Sequence, residues 1–312
     1  MNILLLGAAG FIGTNLTIEL AKNKNNRITL VDKCKDYFTS IQKMHYDNVN
    51  IIESDFTINS NFEDLLKGQE TIYHLVSTTV PTTSNQQIPQ ELISNVVFSS
   101  KLFEACVKCN VKKIVFISSG GTVYGKEEDC PLKEITPTNP ISSYGIQKVT
   151  IEKLLYLYNY LYGIDYRVIR LANPYGPYQR PNGVLGAVTT FTYKALKNEQ
   201  ITVYGDGSVV RDFIYIDDAV RAITKIVDGE NKHHIFNLGC GYGTSIKQVL
   251  DTIESALGIH LDVAFVKARK VDVPVNYLDI SRYEKYYGAL NPITLKEGII
   301  RTAEFMRREY SL

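Results

Sequence analysis

No apolar run in the 312 residues is long enough to cross a bilayer, so no spanning helix is expected. The chain opens on MNILLLGAAGFIG, which lacks a basic leader and is broken by glycines at 7, 10 and 13. It reads as a buried strand entering a turn, not as a signal peptide. Neither sign of charge is in excess: 34 Lys and Arg against 33 Asp and Glu leave a formal net charge of +1. Nothing electrostatic therefore calls for nucleic acid or an anionic membrane as partner. Cysteine is sparse, with five scattered residues, an odd number that argues against a disulfide framework and for a reduced, cytoplasmic protein. Cys106 and Cys109 form a lone C-x-x-C inside SKLFEACVKC, without a second pair or a nearby histidine. They read as helix cysteines, and no metal site is expected. Repeats and low-complexity segments are absent.

What is present is an ordinary globular composition, 45% apolar and 21% charged, in a chain long enough for one large domain or two packed lobes. Short apolar runs (NILLLG, RITLVD, NVNIIESD, TIYHLVS, KIVFISSG, YRVIRLAN) alternate with helix-like stretches such as GTNLTIELAKN. Strands that are apolar throughout and separated by helices predict a parallel sheet covered on both faces, the doubly wound Rossmann-like α/β fold. The alternation weakens after Asn173, where NPYGPYQRPNG reads as a boundary. The expected division is a dinucleotide-binding lobe over 1–172, with about 210–238 returning to it. A smaller mixed α/β lobe over 173–209 and 239–312 would bind substrate.

The first strand ends in GAAGFIG, with Gly7, Gly10 and Gly13. Such a turn lets the backbone approach a pyrophosphate and aims the helix that opens at Phe11 and Ile12 at that anion. About 20 residues on, Asp32 ends the second strand, placed to accept from both adenosine ribose hydroxyls and to repel a 2′-phosphate. NAD is thus favoured over NADP, with Lys33 next door as the opposing sign. Asp55 and Phe56 follow the third strand, where an acid can meet the adenine amino group or simply belong to a loop. In ISSYGIQK, Tyr144 and Lys148 stand four apart in a helical segment, on one face and about 5–6 Å apart at Cβ.

With the glycine loop, Asp32 and Y-x-x-x-K in this order, the chain resembles the extended short-chain dehydrogenase/reductases. Within them it is most similar to the nucleotide-sugar 4-epimerases of the UDP-glucose/UDP-galactose kind. The resemblance runs through SSGGTVYG (118–125), SSYGIQK (142–148), NPYGP (173–177), VYGDGSVVRDFIYIDDA (203–219), FNLG (236–239) and DVPVNYLDISR (272–282). It implies that Tyr144 is the acid/base and that Lys148 holds the nicotinamide ribose. A neighbouring ammonium and a cationic nicotinamide should both lower the phenol's pKa. The family's third catalytic hydroxyl falls here on Gly120, so its part falls to Ser119 or Thr122, with Thr122 slightly favoured, or to a solvent molecule if neither reaches. SSGGTVYG carries no carboxylate, which favours epimerisation over the elimination and decarboxylation chemistry of related enzymes.

The resemblance further implies a UDP-sugar held by Asn173, Arg211, Arg269 and Asp272, with Tyr204 in the segment facing the base. Arg211 could equally pair with Asp212 or Asp217, and Arg269 could belong to a solvated basic face. Tyr175, Tyr178 and Arg180 border the sugar. Asn276 replaces a tyrosine that crowds the sugar C2 in glucose- and galactose-restricted members, so the N-acetyl sugars are expected as substrates too. Helices 91–108 and 144–163 carry broad apolar faces that packing on the sheet explains in part, and the resemblance implies that they form a homodimer through a four-helix bundle. The competing readings are a 4-keto reductase, a uronic-acid epimerase, or a non-catalytic NAD sensor on this fold.

Overall fold

The computed structural model describes residues 1–55, 57, 59–81, 83–127, 129–181, 186–268 and 273–312. The expected site residues Phe56, Arg269 and Asp272 lie outside them. Strands β1 (Asn2–Leu6), β2 (Arg27–Asp32), β3 (Val49–Glu53), β4 (Thr71–His74), β5 (Lys113–Ser119), β6 (Asp165–Leu171), β7 (Asn173–Tyr175), β8 (Ile201–Tyr204), β9 (Val210–Arg211), β10 (Phe213–Tyr215) and β11 (Ile235–Leu238) follow in chain order. Seven of them form one sheet in the order β11-β6-β5-β4-β1-β2-β3, every pair parallel. The fold is the doubly wound α/β class that the strand pattern predicts.

The alternation of side chains along β1 shows why both faces are covered. Ile3 and Leu5 join one apolar core with Leu16 and Leu20 of helix Phe11–Ala21 and Ile223 and Ile226 of helix Ile216–Asp228. Leu4 and Leu6 join the other with Leu102 of helix Phe98–Lys108 and Ile151 and Leu155 of helix Ser143–Tyr162. All four β1 side chains are at most 1% exposed. Each such burial contributes roughly 1.5–3 kcal/mol, which locks the register of the strand that carries the glycine loop.

β1 lies between β2 and β4, so successive connections wind in opposite senses from it. A crevice opens outside the carboxyl ends of the strands at such a reversal. A third core (Val188, Ile201, Val203, Val249, Ile253, Ile299) gathers the later elements. There β8 pairs with Val263–Val266, and β9 pairs with Thr244–Ser245 and Val275–Asn276. Among the described residues no helix is long and apolar enough to cross a membrane.

Candidate active site

A cavity of about 770 Å³ runs from the glycine loop, past β5 and the start of helix Ser143–Tyr162, to β8 and β9. At one end, Gly7 adopts φ +78°, and a Cβ there would press on the Val76 backbone at 3.0 Å. A Cβ on Gly13 would collide with the Ala8 carbonyl, whereas one on Gly10 would meet nothing closer than 3.7 Å. Gly7 and Gly13 are thus glycines for packing. Gly10 keeps open the space over the helix start. Gly10 is the N-cap without a side-chain cap, and the first-turn amides have no intrahelical partner, so that end of the cavity is built for an anion. Gly7 and Ala8 donate to the Val31 carbonyl at 2.9 and 3.2 Å, and Ala9 donates to Asp32 Oδ2 at 3.0 Å, which ties the loop to the end of β2. Lys33 N donates to Asp32 Oδ1 at 2.8 Å, leaving each carboxylate oxygen further acceptor capacity. These residues fit an adenine dinucleotide. Asp32 is half-buried and stands at the rim, not among the lining residues, and Asp55 is exposed and lines the cavity no more than Asp32 does.

In the middle stands helix Ser143–Tyr162, started by Ser142 Oγ accepting from Gly145 N at 3.1 Å and stopped by Gly163 at φ 71°. Its first turns carry Tyr144 and Lys148 to the cavity wall beside Ile117, Ser118 and Ser119. Lys148 Nζ donates to the Ile117 carbonyl at 2.9 Å and lies 4.6 Å from the Phe116 ring centroid. Burial lowers its pKa to about 8, against the opposing pull of Glu152. Burial also pushes the Tyr144 phenol up, to about 12. This direction is opposite to the one expected from the neighbouring ammonium, because the ring loses water while Nζ is turned toward a backbone oxygen.

Behind this pair lies a buried network that the motifs did not announce. Glu152, four residues past Lys148, accepts from Ser118 Oγ at 2.5 Å and pairs with Arg170 at 2.7 Å. Arg170 donates to the Tyr124 hydroxyl at 3.0 Å, which donates to Asn237 at 2.6 Å. The i, i+4 spacing of Lys148 and Glu152 was the one available signal.

The catalytic-loop hydroxyls separate clearly. Ser119 lines the cavity and Thr122 does not; Thr122 Oγ1 is buried without a hydrogen-bond partner among the described residues. A Cβ on Gly120 would sit 2.5 Å from Leu278 Cδ1, so leucine fills the volume a side chain there would need. Asn276 is buried, and its amide donates to the Gly120 carbonyl at 3.4 Å instead of facing the cavity.

At the far end, Asn173, Tyr204 and Arg211 line the cavity, as does Tyr175. The Asn173 amide donates to the Asp212 carbonyl at 2.9 Å, and Arg211 donates to the Val273 carbonyl at 2.7 Å. Burial raises the Asp212 pKa to about 6, against the opposing effect of the Cys240 and Gly241 amides that donate to it. Tyr178 packs on Phe305, and Arg180 lies over the Tyr37 ring at 5.5 Å, both outside the cavity lining.

A crevice lined by the glycine loop at one end and by Tyr144 and Lys148 in the middle is the site of a nicotinamide-dependent enzyme of the short-chain dehydrogenase/reductase class. Residues 3–239 match the NAD dependent epimerase/dehydratase family, and the chain belongs to it. It is 34% identical over 306 residues to a putative UDP-glucose 4-epimerase of Methanocaldococcus jannaschii, covering 98% of each chain. Among solved structures, it matches the UDP-glucose 4-epimerase of Thermotoga maritima with UDP-glucose at a TM-score of 0.89. The identity is 31%, over 99% of this chain and 100% of that one. It also matches the UDP-glucuronic acid 4-epimerase of Bacillus cereus with UDP-glucuronic acid and NAD, at a TM-score of 0.87 and 26% identity, covering 99% of each chain. The cofactor is NAD, and the protein is an enzyme of the NAD-dependent UDP-sugar epimerase family.

Proposed function

We propose that this enzyme interconverts UDP-glucose and UDP-galactose at C4 through a 4-keto sugar, with its NAD retained and recycled. The observation that carries the proposal is the placement of Tyr144 and Lys148 on the wall of the same cavity that holds the glycine loop at one end and Asn173 and Arg211 at the other. NAD, when bound, supplies a hydride acceptor whose positive charge favours the phenolate. Tyr144 takes the proton of the sugar 4-hydroxyl and later returns it. Lys148 fixes the ribose beside it and adds a second positive charge. Arg211 and Asn173 hold the diphosphate end, with Arg269 and Asp272 as further contributors carried by the resemblance. The sugar ring turns between hydride loss and return, so the roomy middle of the cavity is part of the mechanism.

The N-acetylated pair, UDP-GlcNAc and UDP-GalNAc, is proposed as additional substrate. Support comes from the bulk that Asn276 lacks beside a tyrosine, its amide donating to the Gly120 carbonyl. A homodimer is supported by apolar residues on the outer face of helix Ser143–Tyr162, where Tyr156 is 60% and Tyr160 is 76% exposed.

Mixing the purified protein with UDP-galactose and no added cofactor tests the assignment. UDP-glucose is the expected product. A requirement for external NAD(P)H would make it a reductase, and no product from any UDP-sugar would remove the assignment.

A further inference from the structure

Between the segment 75–81, which lines the cavity through Leu75, Ser77, Val80 and Pro81, and the first turns of helix Ser143–Tyr162 lies a buried carboxylate with no part in the chemistry described above. Glu91 is 6% exposed. Its Oε2 accepts from Ser143 Oγ at 2.5 Å and from Gln147 Nε2 at 3.2 Å, and its Oε1 accepts from the Gln87 amide at 3.3 Å. Gln147 also donates to Ser143 Oγ at 2.9 Å, and its Oε1 accepts from Thr79 Oγ1 at 3.2 Å. Asn85 Oδ1 accepts from the Ser143 amide at 2.7 Å.

Ser143 and Gln147 bracket Tyr144 in sequence and occupy the neighbouring stripe of the same helix. One carboxylate therefore gathers the turn that carries the phenol, and its partners reach the segment forming the opposite cavity wall. A negative charge at a helix N-terminus is itself favourable, and a buried ion satisfied by several donors is costly to disturb at any one of them.

We propose that Glu91 is a positioning residue that holds the cofactor-side wall (75–81) against the Tyr144 turn, and so governs both NAD retention and the setting of the phenol. The inference rests on the functional reading for the phenol and on the NAD site alone for retention. Removing the carboxylate leaves Ser143, Gln147 and Gln87 without their common acceptor, and Gln147, whose Oε1 takes the Thr79 hydroxyl, loses the group that fixes it. The nucleotide end of the cavity, at β8 and β9, shares none of these bonds.

The test compares Glu91→Ala and Glu91→Gln with the parent as NAD-loaded protein. NAD release is followed as nucleotide recovered in the filtrate of the loaded protein over time, UDP affinity by calorimetry, and turnover of UDP-galactose in parallel. Glu91→Ala is expected to release NAD about tenfold faster and to lose about tenfold in kcat, with UDP affinity within about twofold of the parent. Glu91→Gln keeps one acceptor oxygen and should recover most of both losses. A folded Glu91→Ala protein with parental NAD release, or one whose UDP affinity falls as far as its NAD retention, overturns the proposal. Because NAD release and UDP affinity need no turnover, an inactive parent would refute the epimerase reading while leaving this test standing.

Discussion

Lys148 reaches past the Tyr144 ring, its Nζ 5.4 Å from the ring centroid, and donates instead to the Ile117 carbonyl at 2.9 Å. The cation is thus held by the sheet and presented to the phenol's surroundings without direct contact with its oxygen. Helix and strand β5 fix one charge between them, and a change in either alters what Tyr144 senses.

That buried ammonium costs stability, and the sign can be worked out. Its folded pKa is lowered to about 8 by burial, below the ordinary lysine value. Between those two values the unfolded chain binds a proton that the folded chain lacks, so stability rises with pH through that window. Lys148→Met should therefore stabilise the fold near pH 7 by about 1–3 kcal/mol, even after losing the bond to Ile117, while turnover falls. The gain should shrink toward zero above the ordinary lysine pKa. Denaturation at both pH values checks this, and a Met variant less stable than the parent near pH 7 contradicts it.

Ser119, which lines the cavity, is expected to be the loop hydroxyl that matters, and Thr122 is not. Ser119→Ala should lower kcat by roughly 10–100-fold with KM nearly unchanged, whereas Thr122→Val should stay within about twofold. Equal losses in steady-state kinetics would show that the loop presents Thr122 to the sugar after all.

Two glycines of the phosphate loop should behave differently. Gly13→Ala drives a methyl into the Ala8 carbonyl, and should cost about 1–3 kcal/mol of stability together with bound NAD. Gly10 has φ −78°, which alanine adopts without strain, and its nearest neighbour is 3.7 Å away. Gly10→Ala should therefore keep the melting temperature of the NAD-free protein and lose NAD affinity, since its methyl enters the cavity. Thermal melts paired with NAD titrations separate the two effects.

Glu152 and Arg170 are both buried at 2.7 Å, so removing one partner strands the other charge. Glu152→Ala should destabilise by roughly 3–5 kcal/mol, and the Glu152→Leu/Arg170→Met pair should recover most of that in a double-mutant cycle. A single variant with parental stability would show the pair to be energetically idle.

The sheet was legible because its strands are buried on both faces, so NILLLG and KIVFISSG are apolar without interruption and stand out from the amphipathic helices between them. The glycine loop, Asp32 and the Tyr144–Lys148 spacing are local patterns, and each could be read within a few residues. What escaped reading is long-range. Glu91 meets Ser143 across 52 positions, and Leu278 fills the space beside Gly120 through a contact no spacing rule supplies. The part that burial plays in the Tyr144 shift is not legible either, because a sequence does not say how much water a ring loses. The contact of the Asn276 amide with the Gly120 carbonyl, 156 positions away, is of the same long-range kind.

The central claim is that the phenol of Tyr144 moves the proton, and Tyr144→Phe tests it most directly. The variant should fold, carry NAD as the parent does, and lose about 10²–10⁴-fold in kcat for interconversion of UDP-galactose and UDP-glucose. A phenylalanine variant that retains NAD and turns over at the parental rate would contradict the account.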